Sequence, residues 1–402
     1  MNILFLTSRF PYPPIGGDKL RAYHIIQHLA AQHRVTVIAA YEREEDLARL
    51  QEFRSQVHRV IPVRIPRLAS YWKAFRGIWG RLPLQCHYYY ASRLQRAVDR
   101  ELAENAYQVV FVHLIRMAQY VRHRRELGRF IDLTDAISLN YERAKAYRSG
   151  WFKWVNLLES RRVRRYEAQI VREFDRSFVI SEVDRQYLLN LSPGAPLEVL
   201  ENGVDLDYFH PAAQRPEQPR RIVFLGNMRT FPNQDAVLFF AREVFPRLQA
   251  VEPDLEFYIV GAFPSRGIQE LARRPGIVVT GYVPDVREYL WSALCAVAPI
   301  RVGAGVQNKI LEAMACGLPV ISSPIGNEGI NATPGRELLV AETPEQYLQH
   351  IEHLLADPEL GRRIGGAARR FIEKRYRWPD ILRRLDQLLE QVDPARAPSP
   401  RT

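Results

Sequence analysis

Lys309 and Glu312 stand three residues apart, directly after the run Arg301-Val302-Gly303-Ala304-Gly305-Val306-Gln307-Asn308. Residues three apart share one face of a helix. A helix starting near Val306–Asn308 presents unpaired N–H groups and the positive end of its dipole, which suits a phosphate. Gly303 and Gly305 permit positive φ and close backbone approach. Lys309 adds a full positive charge. The Glu312 carboxylate can accept two hydrogen bonds from a vicinal diol such as a ribose. Phosphate donors beside a diol acceptor match a nucleoside diphosphate. The plainer alternative is a surface ion pair contributing about 0.2–0.5 kcal/mol. Gly317 and Pro319, which end the helix and open a strand, favour the binding reading.

Other residues offer less specific chemistry. Gly16 and Gly17 lie in Pro11-Tyr12-Pro13-Pro14-Ile15-Gly16-Gly17-Asp18, between a strand and a helix. One reading is a tight turn capped by Asp18. The other is a backbone that approaches a phosphate, since strand carboxyl ends line the crevice where such folds bind ligands. No GxGxxG is present, so no dinucleotide fingerprint is claimed. His113 ends the apolar run Val109–Val112 and is either a satisfied structural histidine or a sugar contact. Asp132 and Asp135 invite acid–base chemistry, with a helix cap as the alternative for Asp135. Cys86, Cys295 and Cys316 make neither a disulfide framework nor a CxxC metal pair, which fits a reducing, cytoplasmic setting.

These residues need strands and helices to position them. Apolar runs at Ile3–Thr7, Val35–Ala40, Val109–His113, Phe130–Asp135, Ser177–Ser181 and Leu197–Leu200 read as strands buried on both faces. A second series covers Arg221–Gly226, Leu255–Gly261, Ile277–Gly281, Cys295–Ile300 and Pro319–Ser323. Helical patterns at Asp18–Ala31, Gln234–Gln249, Val306–Ala315 and Glu345–Leu355 separate them. Repeated β–α alternation predicts α/β architecture with doubly wound sheets. A proline-rich stretch, Phe209 to Pro219, divides the series, and Asn202-Gly203 reads as a turn shaping the hinge. The chain is thereby expected to form two domains, 1–205 and 206–375, with a helix within 376–392 and a disordered tail at 393–402.

Lys and Arg total 56 against 45 acidic residues, which points to an anionic partner. Arg67–Arg81 places Leu68, Tyr71, Trp72, Phe75, Ile78 and Trp79 at helical spacing between basic residues. It is either a core-packing stripe or a helix seated on an anionic membrane face. The basic run Arg161-Arg162-Val163-Arg164-Arg165 is a solvated helix face or a binding element. No known nucleic-acid motif occurs, so nucleic acid is not the expected partner. The short apolar run at the amino terminus lacks a basic leader and is not read as a signal peptide.

The block Arg301–Val320, Asn202-Gly203-Val204-Asp205 with Phe209 and Pro211, the opening strand–glycine–helix segment and Trp378 resemble the GT4 family of retaining glycosyltransferases. The nearest likeness is to the sugar transferases of bacterial exopolysaccharide gene systems. The resemblance implies two Rossmann-like domains facing across a cleft (GT-B type), with the donor held by the second and the acceptor by the first. It implies a final helix, about Pro379–Gln391, crossing back to the first domain. It also implies a nucleoside-diphosphate-sugar donor, no metal or other cofactor, and retention at the anomeric carbon. The positive charge and the amphipathic segment suit a glycan or polyprenyl-diphosphate-linked acceptor at the inner membrane face. Glu312 matches the second glutamate of the family's pair. Lys309 and the Gly303–Asn308 backbone, with Gly305, Val306, Gln307 and Asn308, face the donor. Gly16 and Gly17 match the glycine loop, and His113 a histidine near the transferred sugar. Catalytic roles thus fall to His113, Lys309 and Glu312. Two departures stand out: Ala304 replaces the first glutamate, and Asn227 and Pro232 replace a basic pair. Arg229 or Arg301 is the expected substitute charge. A nucleotide-sugar epimerase is the rival enzyme reading, and a basic nucleic-acid-binding protein the non-enzymatic one.

Overall fold

The computed structural model describes residues 1–144, 152–214, 220–302 and 305–392. Gly303, Ala304, part of the proline-rich divider and the predicted tail at 393–402 lie outside them. The chain divides into two compact units, Met1–Leu200 joined by the chain from Leu382 onward, and Glu201–Ile381.

The first unit is built on β1 (Asn2–Thr7), β2 (Arg34–Tyr41), β3 (Arg59–Arg64), β4 (Val109–His113), β5 (Gly128–Thr134), β6 (Arg176–Val179) and β7 (Leu197–Val199). They form one sheet in the order β3-β2-β1-β4-β5-β6-β7, every pair parallel. The second unit holds β8 (Arg221–Leu225), β9 (Glu256–Val260), β10 (Ile277–Gly281), β11 (Cys295–Ala298), β12 (Val320–Ser322) and β13 (Leu339–Val340). Their order is β10-β9-β8-β11-β12-β13, again all parallel. In each unit the order reverses beside the first strand. Crossovers leave in opposite directions there and open a crevice at the strand carboxyl ends. The central strands are apolar on both faces because helices cover both: Ile3, Leu4, Phe5 and Leu6 are fully buried.

Several elements depart from the sequence reading, among them β13, which has no counterpart among the expected strands. Strand β3 has none either. Its sequence RVIPVR carries charged ends and a proline, which a sheet tolerates at the edge where β3 lies. The helix expected over Gln234–Gln249 is three pieces, Phe231–Phe239, a wide-turn segment Phe240–Val244 and Phe245–Val251. Pro246 lacks the N–H that would continue the regular ladder, and the turn widens before it. The last helix runs Trp378–Leu389 and joins the units. At its start Trp378 covers Gly203, where an added Cβ would come within 2.6 Å of the indole. Further on, Asp386 meets His28 at 2.8 Å and Arg384 meets Glu198 at 3.1 Å, both in the first unit.

Arg21, on the helix Gly17–Gln32, is fully buried and grips Asp132 of β5 with two bonds of 2.8 Å. Burial pushes the Asp132 carboxyl up, but Arg21 and His113 pull it well below the usual carboxylate range. Removing the cation leaves a buried charge alone. Arg21→Met is therefore expected to lower stability by about 3–5 kcal/mol, read as a fall in melting temperature near neutral pH. A depressed carboxylate contributes its stability above its unfolded pKa of about 4 and loses it in acid. The gap between wild type and variant should accordingly shrink as pH falls below about 4; a gap independent of pH would contradict this.

Candidate functional site

The predicted residues gather at the switch points, one cluster in each unit. In the second unit the helix Asn308–Ala315 starts beyond the end of β11, at the far end of the Val306–Asn308 range read from the sequence. Gln307 occupies the cap position without a side-chain cap bond. No described residue accepts from the backbone N–H of Asn308 or Lys309. Gly305 adopts φ 75°, a conformation that favours glycine. Asn202 donates to the Asn308 side-chain oxygen at 2.9 Å, so the residue read as a hinge turn also holds the helix start.

Lys309 Nζ donates to Asn233 Oδ1 at 2.5 Å and lies 5.1 Å from the Phe224 ring centre. Both Lys309 and Glu312 keep some exposed area, yet protein surrounds them on most sides. Burial pushes the lysine down to about 8, with Glu312 opposing the shift. Burial likewise pushes Glu312 up to about 7, opposed by Lys309. Among the described residues, none donates a hydrogen bond to the Glu312 carboxylate. The arrangement offers an ammonium and two backbone donors to an anion, and an open carboxylate to hydroxyl groups.

The two substitute arginines differ. Arg301 is held by Asp235 through bonds of 2.9 and 2.6 Å and lies 4.8 Å over the Phe239 ring, so its charge is already matched. Arg229 lies 3.9 Å over the Phe263 ring and has no carboxylate partner among the described residues. Of the pair, Arg229 keeps a charge to offer. Val306 is buried beneath the loop, leaving only its backbone to face a ligand.

In the first unit, Gly16 has φ 97° and caps the helix Gly17–Gln32. An added Cβ there would make only an ordinary contact, 3.9 Å from Asp18 Oδ1, so the glycine serves the dihedral rather than the room. Asp18 is not the cap that the tight-turn alternative gave it. Its carboxylate meets Arg9 at 3.0 Å and Arg116 at 3.8 Å. His113 is also placed otherwise than expected. It is 1% exposed, with Nδ1 2.8 Å from Asp132 and Nε2 3.0 Å from the Asp18 carbonyl. Both ring nitrogens are engaged within the protein, so in this structure His113 positions the glycine loop and touches no open surface. Leu114 and Thr134, next to these groups, both adopt φ 72°, strained for residues with a Cβ. Asp135 accepts from Asn140, while burial and then Asp184 push it up to about 7. Glu167 caps the next helix by accepting from Ile137 N at 2.7 Å.

Sequence reasoning missed three parts of the second cluster. Asn233 orients Lys309 and bonds Asn227 O at 2.9 Å, with only ordinary helix-start chemistry to announce it. Gly226 and Gly261 touch backbone to backbone: a Cβ on Gly261 would lie 1.8 Å from Gly226 O. Gly329 backs the loop at Gly305, and its Cβ would lie 2.5 Å from Gly305 O. Such contacts join segments far apart in the chain and leave no local signature. Among the described residues no group of three or more His, Cys, Asp or Glu could hold a metal ion.

Residues 219–357 match the family described as Glycosyl transferases group 1, and residues 16–203 match the Glycosyl transferase 4-like domain. An uncharacterized 44.6 kDa protein in the cps region of Klebsiella pneumoniae is 24% identical over 163 residues, 39% of this chain and 42% of that protein. D-inositol 3-phosphate glycosyltransferase 2 of Catenulispora acidiphila is 26% identical over 215 residues, 48% of this chain and 50% of that one. The chain thus spans about half the length of these curated relatives. Sucrose-phosphate synthase from Thermosynechococcus elongatus superposes with a TM-score of 0.72 at 18% identity, covering 97% of this chain and 99% of that one. Anabaena HepE, solved in complex with UDP-glucose, gives 0.68 at 13% identity over 97% and 99%. At these identities the likeness establishes the fold, two Rossmann-like domains of GT-B type.

Because Gly329 is in contact with the loop backbone itself, Gly329→Ala should displace Gly305 and lower stability by about 1–3 kcal/mol. Gly267→Ala, where nothing lies within 4 Å and φ is not positive, provides a comparison for glycine replacement without a clash. Equal melting temperatures for wild type and Gly329→Ala would contradict the packing described.

Proposed function

This chain belongs to the group 1 glycosyltransferases with a glycosyltransferase 4-like domain, and we propose that it transfers a hexosyl group from a nucleoside-diphosphate-sugar to an acceptor hydroxyl with retention. The observation that carries the reading is the uncapped helix start beside Lys309, with the open Glu312 carboxylate one turn on. In the proposed reaction the bond from the anomeric carbon to the diphosphate oxygen breaks. The acceptor oxygen bonds to that carbon on the same face, and its proton passes to the departing phosphate oxygen. The developing charge falls on the diphosphate, where the Asn308 and Lys309 N–H groups, the Lys309 ammonium and Arg229 supply positioned donors. Glu312 accepts from the donor ribose. No divalent cation is invoked, since these groups supply the positive charge. Acceptor binding is assigned to the first unit, where Arg9 and Arg116 against Asp18 leave one net positive charge beside the Gly16–Gly17 backbone. The acceptor we propose is a polyprenyl-diphosphate-linked or other cell-surface glycan, met by a peripheral protein at the cytoplasmic membrane face. The cps-region relative supports that setting.

Lys309→Ala should slow transfer by about a hundred- to a thousandfold with the fold intact, measured as nucleotide released from a panel of UDP-, GDP- and ADP-sugars. A folded variant with the full rate would refute the role. Titration provides a second check. A bound diphosphate favours the charged lysine, so binding near pH 8 should take up a proton. Ribose hydroxyls favour the ionised Glu312, so binding near pH 7 should release one. Calorimetry in buffers of different ionisation enthalpy reads both, and binding without proton exchange at either pH would contradict them.

A further inference from the structure

The helix Arg67–Arg76 and the turn Gly77–Trp79 pack the wrong way round for a soluble helix. The segment is buried at Ser70 and Gly77. Gly77 is so close to the helix Leu84–Tyr89 that an added Cβ would lie 2.4 Å from the His87 ring. Arg162, from the basic run 161–165, donates to the carbonyls of Gly77 and Ile78 and fastens the segment's end. The large apolar side chains face outward instead: Leu68 is 87% exposed, Trp79 76%, Tyr71 65% and Trp72 61%. Trp72, Phe75 and Trp79 touch one another, with ring centres 5.9 and 5.6 Å apart, so the surface is continuous. Isolated exposed apolar residues are common, but a contiguous patch of this kind marks an interaction site.

Its charge setting selects the partner. Residues 53–98 contain no aspartate or glutamate and nine arginines and lysines, of which Arg59, Arg64 and Arg67 pair with Glu101, Glu44 and Glu42 from outside the stretch. Arg76 and Arg81 adjoin the patch, are exposed, and have no carboxylate partner among the described residues. A second copy docking symmetrically would bring two such basic surfaces together, which repel. An anionic bilayer attracts them. Trp and Tyr suit the boundary between headgroups and acyl chains, where one end of the ring is wet and the other apolar. Among the described residues no helix is long and apolar enough to cross a membrane. We propose that the segment 67–81 lies in the plane of an anionic membrane, inserts Leu68, Tyr71, Trp72, Phe75, Ile78 and Trp79 among the lipids, and anchors the first unit there.

The surface deepens the lipid-linked acceptor reading. A vesicle assay without donor or acceptor tests it separately, so failure of the anchor leaves the transferase reading standing, and the reverse. The full chain should float at low salt with vesicles of equal parts phosphatidylglycerol and phosphatidylcholine, and much less with phosphatidylcholine alone. Trp72→Ser/Trp79→Ser should keep its melting temperature, since both rings are exposed, and lose about tenfold or more in partitioning. Arg76→Glu/Arg81→Glu should lose the preference for the anionic vesicles. Absence of flotation by the wild type at low salt, or equal flotation by the tryptophan variant, would overturn the proposal. So would a wild-type dimer in light scattering that the tryptophan variant converts to monomer, which would assign the face to a second copy.

Discussion

An excess of hydrogen-bond donors governs the second unit. The start of the helix Asn308–Ala315 and the Lys309 ammonium contribute only donors, in surroundings that disfavour an isolated positive charge. Asn233 Oδ1 takes up one of them. Other features of the crevice hold this arrangement open. Gly226 lies against Gly261 and Gly305 against Gly329, each pair at distances that a side chain would forbid. Asn202 steadies the helix start from outside. What the protein leaves unsatisfied here is what an anion would satisfy.

The first unit resolves its switch point in the opposite sense. Arg21, Asp132 and His113 satisfy one another in full burial, and His113 Nε2 reaches on to the Asp18 carbonyl. The chain of bonds runs from β5 through β4 to the start of the first long helix. It sets where the exposed Gly16–Gly17 backbone stands, while Arg9 and Arg116 share the Asp18 carboxylate at its side. The strained Leu114 and Thr134 lie at the ends of the same two strands. A rigid polar core thus supports a loop whose own side chains contribute almost nothing, which is how a backbone can be presented to a ligand without being free to move away from it.

The segment 67–81 shows how little periodicity says about direction. Its apolar residues recur at helical spacing, as they would on a core helix, and its small residues form the opposite face. Burial of Ser70 and Gly77, with Arg162 fastening the end, turns the large side chains outward. Which face a helix buries depends on the shape of its neighbours, here the helix Leu84–Tyr89 and the long helix carrying Glu159 and Arg162, and that shape is assembled from distant parts of the chain.

Much of the architecture comes from local rules acting on local sequence. Runs apolar on both faces could only be covered central strands, and glycines before helices marked the loops at Gly16 and Gly305. The i, i+3 placement of Lys309 and Glu312 was legible for the same reason, since helical geometry is set within a turn. The edge strand β3 and the widened turn before Pro246 were less so, because edges and breaks tolerate weak or mixed patterns. Tertiary structure alone decided that Arg301 is occupied by Asp235 while Arg229 is not, that His113 faces inward, and that Asn233 holds Lys309. Each of these outcomes depends on partners 19 to 95 positions away or on the lack of one. Charge and hydrogen-bond capacity belong to the residue, but whether they are spent is settled only when the fold brings the partner within about 3 Å.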